Sequence, residues 1–309
     1  MKVLVLDTVH ELFFKELPEL GYQLVEEYKA SADAINWEEY RGLILRSRMP
    51  IDQAILEQAT NLRFIARVGA GLENIDVEFA KSKGIRVLAA PEGNRHALGE
   101  HALGMLLALF NRLILADKEV RSGLWLREEN RGHELRGKTV GIIGFGHMGS
   151  AFAEKLQGMS CRILAYDKYK SNYSPSYVEE VELAQLQAQA DVISLHLPEN
   201  EETKYYINQA FIDVCTKPFY LINTARGKNV ETKALVDGLK SGKIIGACLD
   251  VLEYEKSSFE NLYDSNLPDD FKFILSSNKV LFSPHVAGWS VESKLELARV
   301  LIDKIKDIR

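Results

Sequence analysis

Cysteine is scarce in this chain. Of 309 residues only Cys161, Cys215 and Cys248 are cysteine, they are scattered, and none belongs to a C-x-x-C pair. This argues against a disulfide framework and for a reduced, cytoplasmic setting. Long apolar runs are also missing. The longest, near residues 102–110, is flanked by charge and falls short of the roughly 18–20 residues a spanning helix needs, so no membrane role is expected. The N-terminal MKVLVLDTV lacks a long apolar segment and a small-residue cleavage site, and reads as a short strand rather than a signal peptide. There is no basic excess either. With 38 Lys+Arg against 44 Asp+Glu the formal net charge is −6, without a concentrated basic block, and a nucleic-acid partner is not expected. Solenoid repeats and low-complexity tracts are absent.

What is present is globular usage, 46% hydrophobic and 27% charged, in a chain long enough for two ordinary domains. Strand and helix patterns alternate. Lys2–Leu6, Gln23–Glu26, Gly42–Leu45, Phe64–Val68 and Ile85–Leu88 read as strands, with helical segments at Val9–Leu20, Gln53–Ala59 (capped by Asp52) and Asp76–Lys83. Residues 97–121 form one long helical pattern. Strands at Val192–Leu195, Tyr220–Asn223, Ile245–Leu249 and Val280–Phe282 then continue a second parallel sheet, and Val291–Ile308 is an amphipathic helix. The expected fold class is α/β with two doubly wound parallel-sheet domains. A Rossmann domain (98–286) is inserted in a flavodoxin-like substrate domain made of 1–97 plus 287–309.

Residues 137–149 read GKTVGIIGFGHMG. The apolar run at Val140–Ile143 suits a buried parallel strand, and Gly144, Gly146 and Gly149 supply G-x-G-x-x-G before a helix. The first glycine permits the tight turn, the second lets a pyrophosphate approach the backbone, and the third lets the helix pack on the strand. The next strand, Arg162–Tyr166, delivers Asp167, 167 − 149 = 18 residues on, close to the ~20 of the dinucleotide fingerprint. Asp167 would bond the ribose hydroxyls and repel a 2′-phosphate, which points to NAD rather than NADP.

Three polar residues follow apolar strands of the second sheet: Arg226 in INTARG, Glu255 after Leu249-Asp250-Val251, and His285 in LFSPH. An arginine fork can hold an α-keto carboxylate. A histidine can exchange the hydroxyl proton while hydride moves at carbon, and a carboxylate on its other ring nitrogen would orient it. Singly, such an arginine is more often an ion-pair partner and such a histidine a hydrogen-bonder. The case rests on the three lying together.

These segments resemble the D-isomer-specific 2-hydroxyacid dehydrogenases over almost the whole length, from Arg46-Ser47-Arg48 through VGAGLENID (68–76), Gly144–Gly149, His196-Leu197-Pro198 and Asn223–Gly227 to SPHVAG (283–288). The resemblance implies an NAD-dependent oxidoreductase with Arg226, Glu255 and His285 as catalytic residues. It implies that the amides of Ala70 and Gly71 cradle the substrate carboxylate and that Asp250 bonds the nicotinamide carboxamide. His147, Met148, His196, Pro198, Thr203, Thr224, Ala225, His285 and Gly288 would complete the cofactor site. Within the family the likeness is to D-3-phosphoglycerate dehydrogenases. There Arg46 and Arg48, with Arg226 and His285, would bind the substrate and its phosphate, unless the first two merely pair with local acids. Serine biosynthesis would be the setting, and regulation through a C-terminal module is not expected. The alternatives are a glyoxylate/hydroxypyruvate reductase, or an NAD(H)-sensing protein like the C-terminal-binding-protein corepressors. A homodimer built on the long helix and the loop with Trp125, Arg127 and Arg131 is implied. Two features depart from the family pattern: Lys256 stands where proline is usual, and 256–278 forms an acidic and aromatic insertion that could alter the rim of the active-site cleft. His96, Glu100 and His101 could suggest a metal site, but none is expected, because only His96 and Glu100 share a helix face and no further ligand set is evident.

Overall fold

The computed structural model describes residues 1–255 and 267–308, and the chain divides into two compact units. The first comprises Met1–Ala97 and the segment from Gly288 onward, and the second comprises Leu98–Glu255 and 267–287. The first contains β1 (Lys2–Val5), α1 (Leu12–Glu19), β2 (Gln23–Glu26), β3 (Gly42–Leu45), α2 (Gln53–Gln58), β4 (Phe64–Arg67), α3 (Val77–Ser82) and β5 (Arg86–Leu88). Helix α4 (Pro91–Phe110) carries the chain into the second unit, with α5 (Leu113–Arg121), β6 (Thr139–Ile143), α6 (His147–Leu156), β7 (Arg162–Tyr166) and β8 (Glu179–Glu180). There follow α7 (Leu183–Gln189), β9 (Val192–Leu195), α8 (Gln209–Val214), β10 (Phe219–Asn223), α9 (Thr232–Ser241), β11 (Ile244–Leu249), α10 (Asp269–Ser276) and β12 (Val280–Phe282). Helix α11 (Val291–Lys306) returns to the first unit.

The first sheet is parallel in the order β2-β1-β3-β4-β5. Its inner strands β1, β3 and β4 are apolar at successive positions because both faces are covered, and the pleat sorts the side chains. Val3, Val5, Ile44, Phe64 and Ala66 join α1 and α11 in one core, while Leu4, Leu6, Leu43, Leu45 and Ile65 join α2 and α3 in the other. The caps are local: the Asp52 and Asp76 carboxylates accept the Ile55 and Phe79 amides, each at 3.0 Å.

The second sheet is parallel in the order β12-β11-β10-β9-β6-β7-β8. Ile143, Ile193, Leu221 and Leu249 face α7–α10, and Val140, Ile142, Val192, Ile222 and Cys248 face α4 and α6. The strand order reverses between β6 and β9, which opens a crevice at their carboxyl ends.

One reading of the sequence needs correction. The pattern over 97–121 is not one helix. Helix α4 starts at Pro91, whose fixed φ suits a first helical position, and α5 leaves it at 58° after Arg112 turns left-handed (φ 52°). The returning chain ends α4, because the His133 amide takes the Phe110 carbonyl (3.0 Å). Of the insertion 256–278, residues 256–266 lie outside the described residues. The remainder holds α10, whose Phe271 and Ile274 are buried in the second unit's core.

Candidate active site

The carboxyl ends of β10, β11 and β12 present three loops side by side, since these strands are sheet neighbours. After β10, the buried Asn223 side chain shapes the turn: Nδ2 donates to the Arg226 carbonyl (2.9 Å) and Oδ1 accepts the Ala225 amide (3.1 Å). Arg226 is fixed again from the far side, its amide donating to Asn229 Oδ1 (3.0 Å), and its guanidinium Nη1 donates to the Ala225 carbonyl (2.6 Å). Gly227 packs against the Leu252 carbonyl so closely that a Cβ would overlap it.

After β11, Glu255 folds back on its own loop. Oε1 accepts the Leu252 amide in a short hydrogen bond, and Oε2 faces His285 Nδ1 at 2.8 Å. With Nδ1 committed to the carboxylate, Nε2 is the nitrogen able to exchange a proton with a substrate. His285 itself is left-handed, at φ 54°, a conformation that costs a non-glycine residue about 1–3 kcal/mol and persists only where the surroundings enforce it. Here Asp250 enforces it. The Asp250 carbonyl accepts the His285 amide (2.8 Å), and its buried carboxylate accepts Ser283 Oγ (2.6 Å) and the Val286 and Ala287 amides (both 2.9 Å).

The glycine-rich turn lies between β6 and α6. Gly144 (φ 91°) runs against the His196 carbonyl, and Gly149 against the Gly144 carbonyl, leaving no room for a Cβ at either, whereas a Cβ on Gly146 would enter open space. His147 and Met148 open α6. Asp167 braces the turn, accepting the Phe145 (2.9 Å) and Tyr169 (3.0 Å) amides. His196 Nε2 meets Ser194 Oγ at 2.9 Å, while its buried Nδ1 has no hydrogen-bond partner. Burial pushes this imidazole down to about 3, so it is neutral. Thr224 Oγ1 is likewise buried without a partner. The hydroxyl of Thr203 is already engaged, donating to the Pro198 carbonyl (2.7 Å), and Ala225 is buried. A backbone cradle open at Gly146, two orphaned polar atoms at the strand ends and a carboxylate at the tip of β7 fit a dinucleotide.

In the first unit, Gly69 (φ 155°), Ala70 and Gly71 follow β4. The Ala70 and Gly71 amides donate no hydrogen bond among the described residues. Arg46 follows β3; its amide donates to Asp7 Oδ2 (2.6 Å) and its guanidinium lies 4.2 Å above the ring of Trp289. Arg48 departs from the sequence reading. Its three nitrogens donate to the carbonyls of Leu6 (2.9 Å), Ala30 (2.8 Å) and Glu27 (3.1 Å), so it ties loops together rather than presenting a fork. Gly288 backs onto Asn94, whose Oδ1 is buried without a partner.

The sequence reading gave no role of their own to Asn94, Asn223 and Asn229. It also missed Glu253, whose carboxylate accepts the Tyr205 hydroxyl (2.9 Å) and the Thr232 amide (2.8 Å) and so holds the Glu255 loop. The partners of Glu253 are distant in sequence, and so are the Pro198 and Thr203 carbonyls that take the Asn229 amide group, while the Asn223 side chain bonds only within its own turn, where its strand-end position was the signal. Of the metal candidates, Glu100 pairs with Lys155 (3.0 Å) and His101 Nε2 meets Ser283 Oγ (2.8 Å). Among the described residues no three metal-binding side chains cluster, and no single helix is long and apolar enough to cross a membrane.

Residues 103–287 match the family model of the D-isomer specific 2-hydroxyacid dehydrogenase NAD binding domain. The chain belongs to that family. It is 32% identical to a D-3-phosphoglycerate dehydrogenase of Archaeoglobus fulgidus over 99% of its own length, but spans only 56% of that protein. It is 35% identical to a hydroxypyruvate reductase of Thermotoga maritima, with 85% of this chain and 83% of the relative aligned. Among solved structures, the D-lactate dehydrogenase of Aquifex aeolicus with NAD and lactic acid superposes with a TM-score of 0.84 at 26% identity, covering 99% of this chain and 94% of the other.

Proposed function

We propose that the protein interconverts a D-2-hydroxy acid and its 2-keto acid with NAD(H), and that the acid is 3-phosphoglycerate. The observation that carries the chemistry is the His285–Glu255 pair at 2.8 Å on strand ends shared with Arg226. NAD, when bound, supplies the hydride acceptor or donor. Gly144, Gly146 and Gly149 with the start of α6 would hold its pyrophosphate, Asp167 its ribose, and Thr224 and His196 would offer it their orphaned polar atoms. In the reducing direction His285 Nε2 donates a proton to the keto oxygen while Glu255 holds the ring by Nδ1 and balances the imidazolium charge. Arg226 binds the substrate carboxylate with its planar fork. In the first unit, which we assign to substrate, the Ala70 and Gly71 amides bind carboxylate oxygens and Arg46, backed by Trp289, binds the phosphate.

A second reading, a glyoxylate or hydroxypyruvate reductase, is favoured by Arg48: with its guanidinium on three carbonyls, a phosphate would have one arginine fewer. NADH oxidation with 3-phosphohydroxypyruvate, hydroxypyruvate, glyoxylate and pyruvate at equal concentrations decides. A preference for the phosphorylated acid, lost on Arg46→Ala, supports the first reading and a role in serine biosynthesis. A preference for an unphosphorylated acid that ignores Arg46→Ala supports the second. NADH binding without turnover would make the protein a sensor. Three free thiols suit the cytoplasm, and we propose a homodimer formed through α5.

A further inference from the structure

We propose that His101, Ser283 and Asp250 form a positioning relay that locks the backbone of His285 left-handed and keeps its imidazole on Glu255. The consequence for turnover rests on the dehydrogenase reading, whereas the geometry does not. The relay has one polarity. The Asp250 carboxylate already accepts two amides, those of Val286 and Ala287 (both 2.9 Å), so Ser283 Oγ–H donates to Oδ1 at 2.6 Å. With that proton committed, Ser283 Oγ is the acceptor for His101 Nε2–H at 2.8 Å.

The anchor is rigid and remote. His101 stands on α4, 182 residues before Ser283, and Met105 one turn along meets the same hydroxyl through Sδ at 3.4 Å. His101 Nε2 also lies 3.7 Å from Asp250 Oδ1. Asp250 is held from behind by its own amide, donating to the Asn223 carbonyl (3.0 Å). Ser283 and His101 therefore fix the carboxylate in the one plane from which Oδ1 reaches Val286 and Oδ2 reaches Ala287. Those two amides flank the C-terminal side of His285, and the Asp250 carbonyl takes the His285 amide (2.8 Å). Loosening the carboxylate releases residues 285–287 together, and a left-handed histidine without such enforcement relaxes. The Ser283 carbonyl shares the His285 amide (3.1 Å), but that bond is backbone and survives substitution, whereas the Ser283 hydroxyl and the His101 ring are joined to Asp250 and act through it.

The test uses Ser283→Ala, His101→Leu and their double variant, with Ser283→Thr and His101→Gln as rescues that keep the hydroxyl or a donor nitrogen. Two quantities are read: steady-state kinetics beside the NADH dissociation constant, and, in the cofactor-free protein, the NMR signal of the His285 Nδ1–H held by Glu255. Each single loss should lower kcat by about 10- to 100-fold, the scale of a misplaced catalytic group, with NADH affinity and keto-acid KM near wild type. The double variant should be no worse than the worse single one, the rescues should recover most of the rate, and the Nδ1–H signal should broaden or exchange away. Unchanged kcat, a multiplicative double variant, or NADH affinity falling in step with kcat would overturn the relay. If the wild type reduces no 2-keto acid, the proposed function fails, and the NMR signal still decides: retained in both Ser283→Ala and His101→Leu, it overturns the relay. Should Ser283→Ala not fold, the His101 pair decides alone.

Discussion

Glu255 divides its two oxygens between the Leu252 amide and His285, so the carboxylate is fixed to its own loop before it orients the ring. His285→Ala should therefore lower kcat by about 10²–10⁴ with little change in NADH affinity; near-normal turnover would remove His285 from the chemistry. Asp167 serves both turn and ligand, since the Phe145 and Tyr169 amides already sit on its oxygens. Asp167→Ala should weaken NADH by roughly 10- to 100-fold, the worth of hydrogen bonds to a charged group, and weaken NADPH less. Fluorescence titration measures both, and an unchanged NADH/NADPH ratio would assign selectivity elsewhere. Residue type alone could not separate Arg46 from Arg48. They are two apart after one strand, yet one stacks on Trp289 and the other is spent on three carbonyls. The partners of Arg48 come from loops 18 to 42 residues away, beyond the reach of local pattern.

At the scale of elements, the glycine turn separates packing from binding. A Cβ at Gly149 would overlap the Gly144 backbone, which cannot rotate away, whereas a Cβ at Gly146 meets nothing. Gly149→Ala should thus destabilise the fold by about 1–3 kcal/mol, as overpacking does, read as a lower Tm without ligand. Gly146→Ala should leave Tm unchanged yet abolish the stabilisation NADH confers, because its methyl would fill the space where backbone and pyrophosphate meet. Equal loss of Tm in both would refute this division. The strands were legible because buried parallel strands are short apolar runs between turn residues, and Lys2–Val5 and Gly42–Leu45 are plain cases. The helix break was not, because Leu109, Leu113 and Ala116 continue the apolar period across it, and the group that stops α4, the His133 amide, arrives from beyond the pattern. The start at Pro91 was hidden by a polar first turn and a half, Glu92 to His96. Likewise α10 reads as part of an acidic insertion until Phe271 and Ile274 are found in the core.

For the molecule as a whole, His196 links stability to acid. Its folded value is driven down to about 3 by burial, against about 6.5 for an exposed imidazole. Below pH 6.5 the unfolded chain takes up a proton that the native state refuses. The stabilisation is therefore complete above pH 6.5 and falls on acidification towards pH 3, by up to about 1.4 kcal/mol per unit for this one group. Urea unfolding at pH 7 and pH 5 should show a steeper loss in the wild type than in His196→Asn, and parallel losses would contradict the assignment. A second feature at this scale is a set of apolar side chains on and after α5 that the described residues leave exposed. Helix α5 has no buried residue, and it exposes Leu113, Ile114 (62%) and Val120, with Leu124 and Trp125 (77%) following at once. Single exposed apolar residues are ordinary, but five within thirteen positions are the concentration expected of an association surface. Each partner of a stable interface buries about 800 Å², and a helix of this length with its following loop, paired with a second copy, can supply much of that area. Light scattering should therefore return twice the 34.9 kDa chain mass, and Ile114→Glu with Trp125→Glu should return one. Because neither side chain is buried within the chain, the double variant should keep its secondary structure, and NADH should still stabilise it. A wild-type monomer at micromolar concentration would leave the α5 face to some other partner and remove the dimer from the proposal.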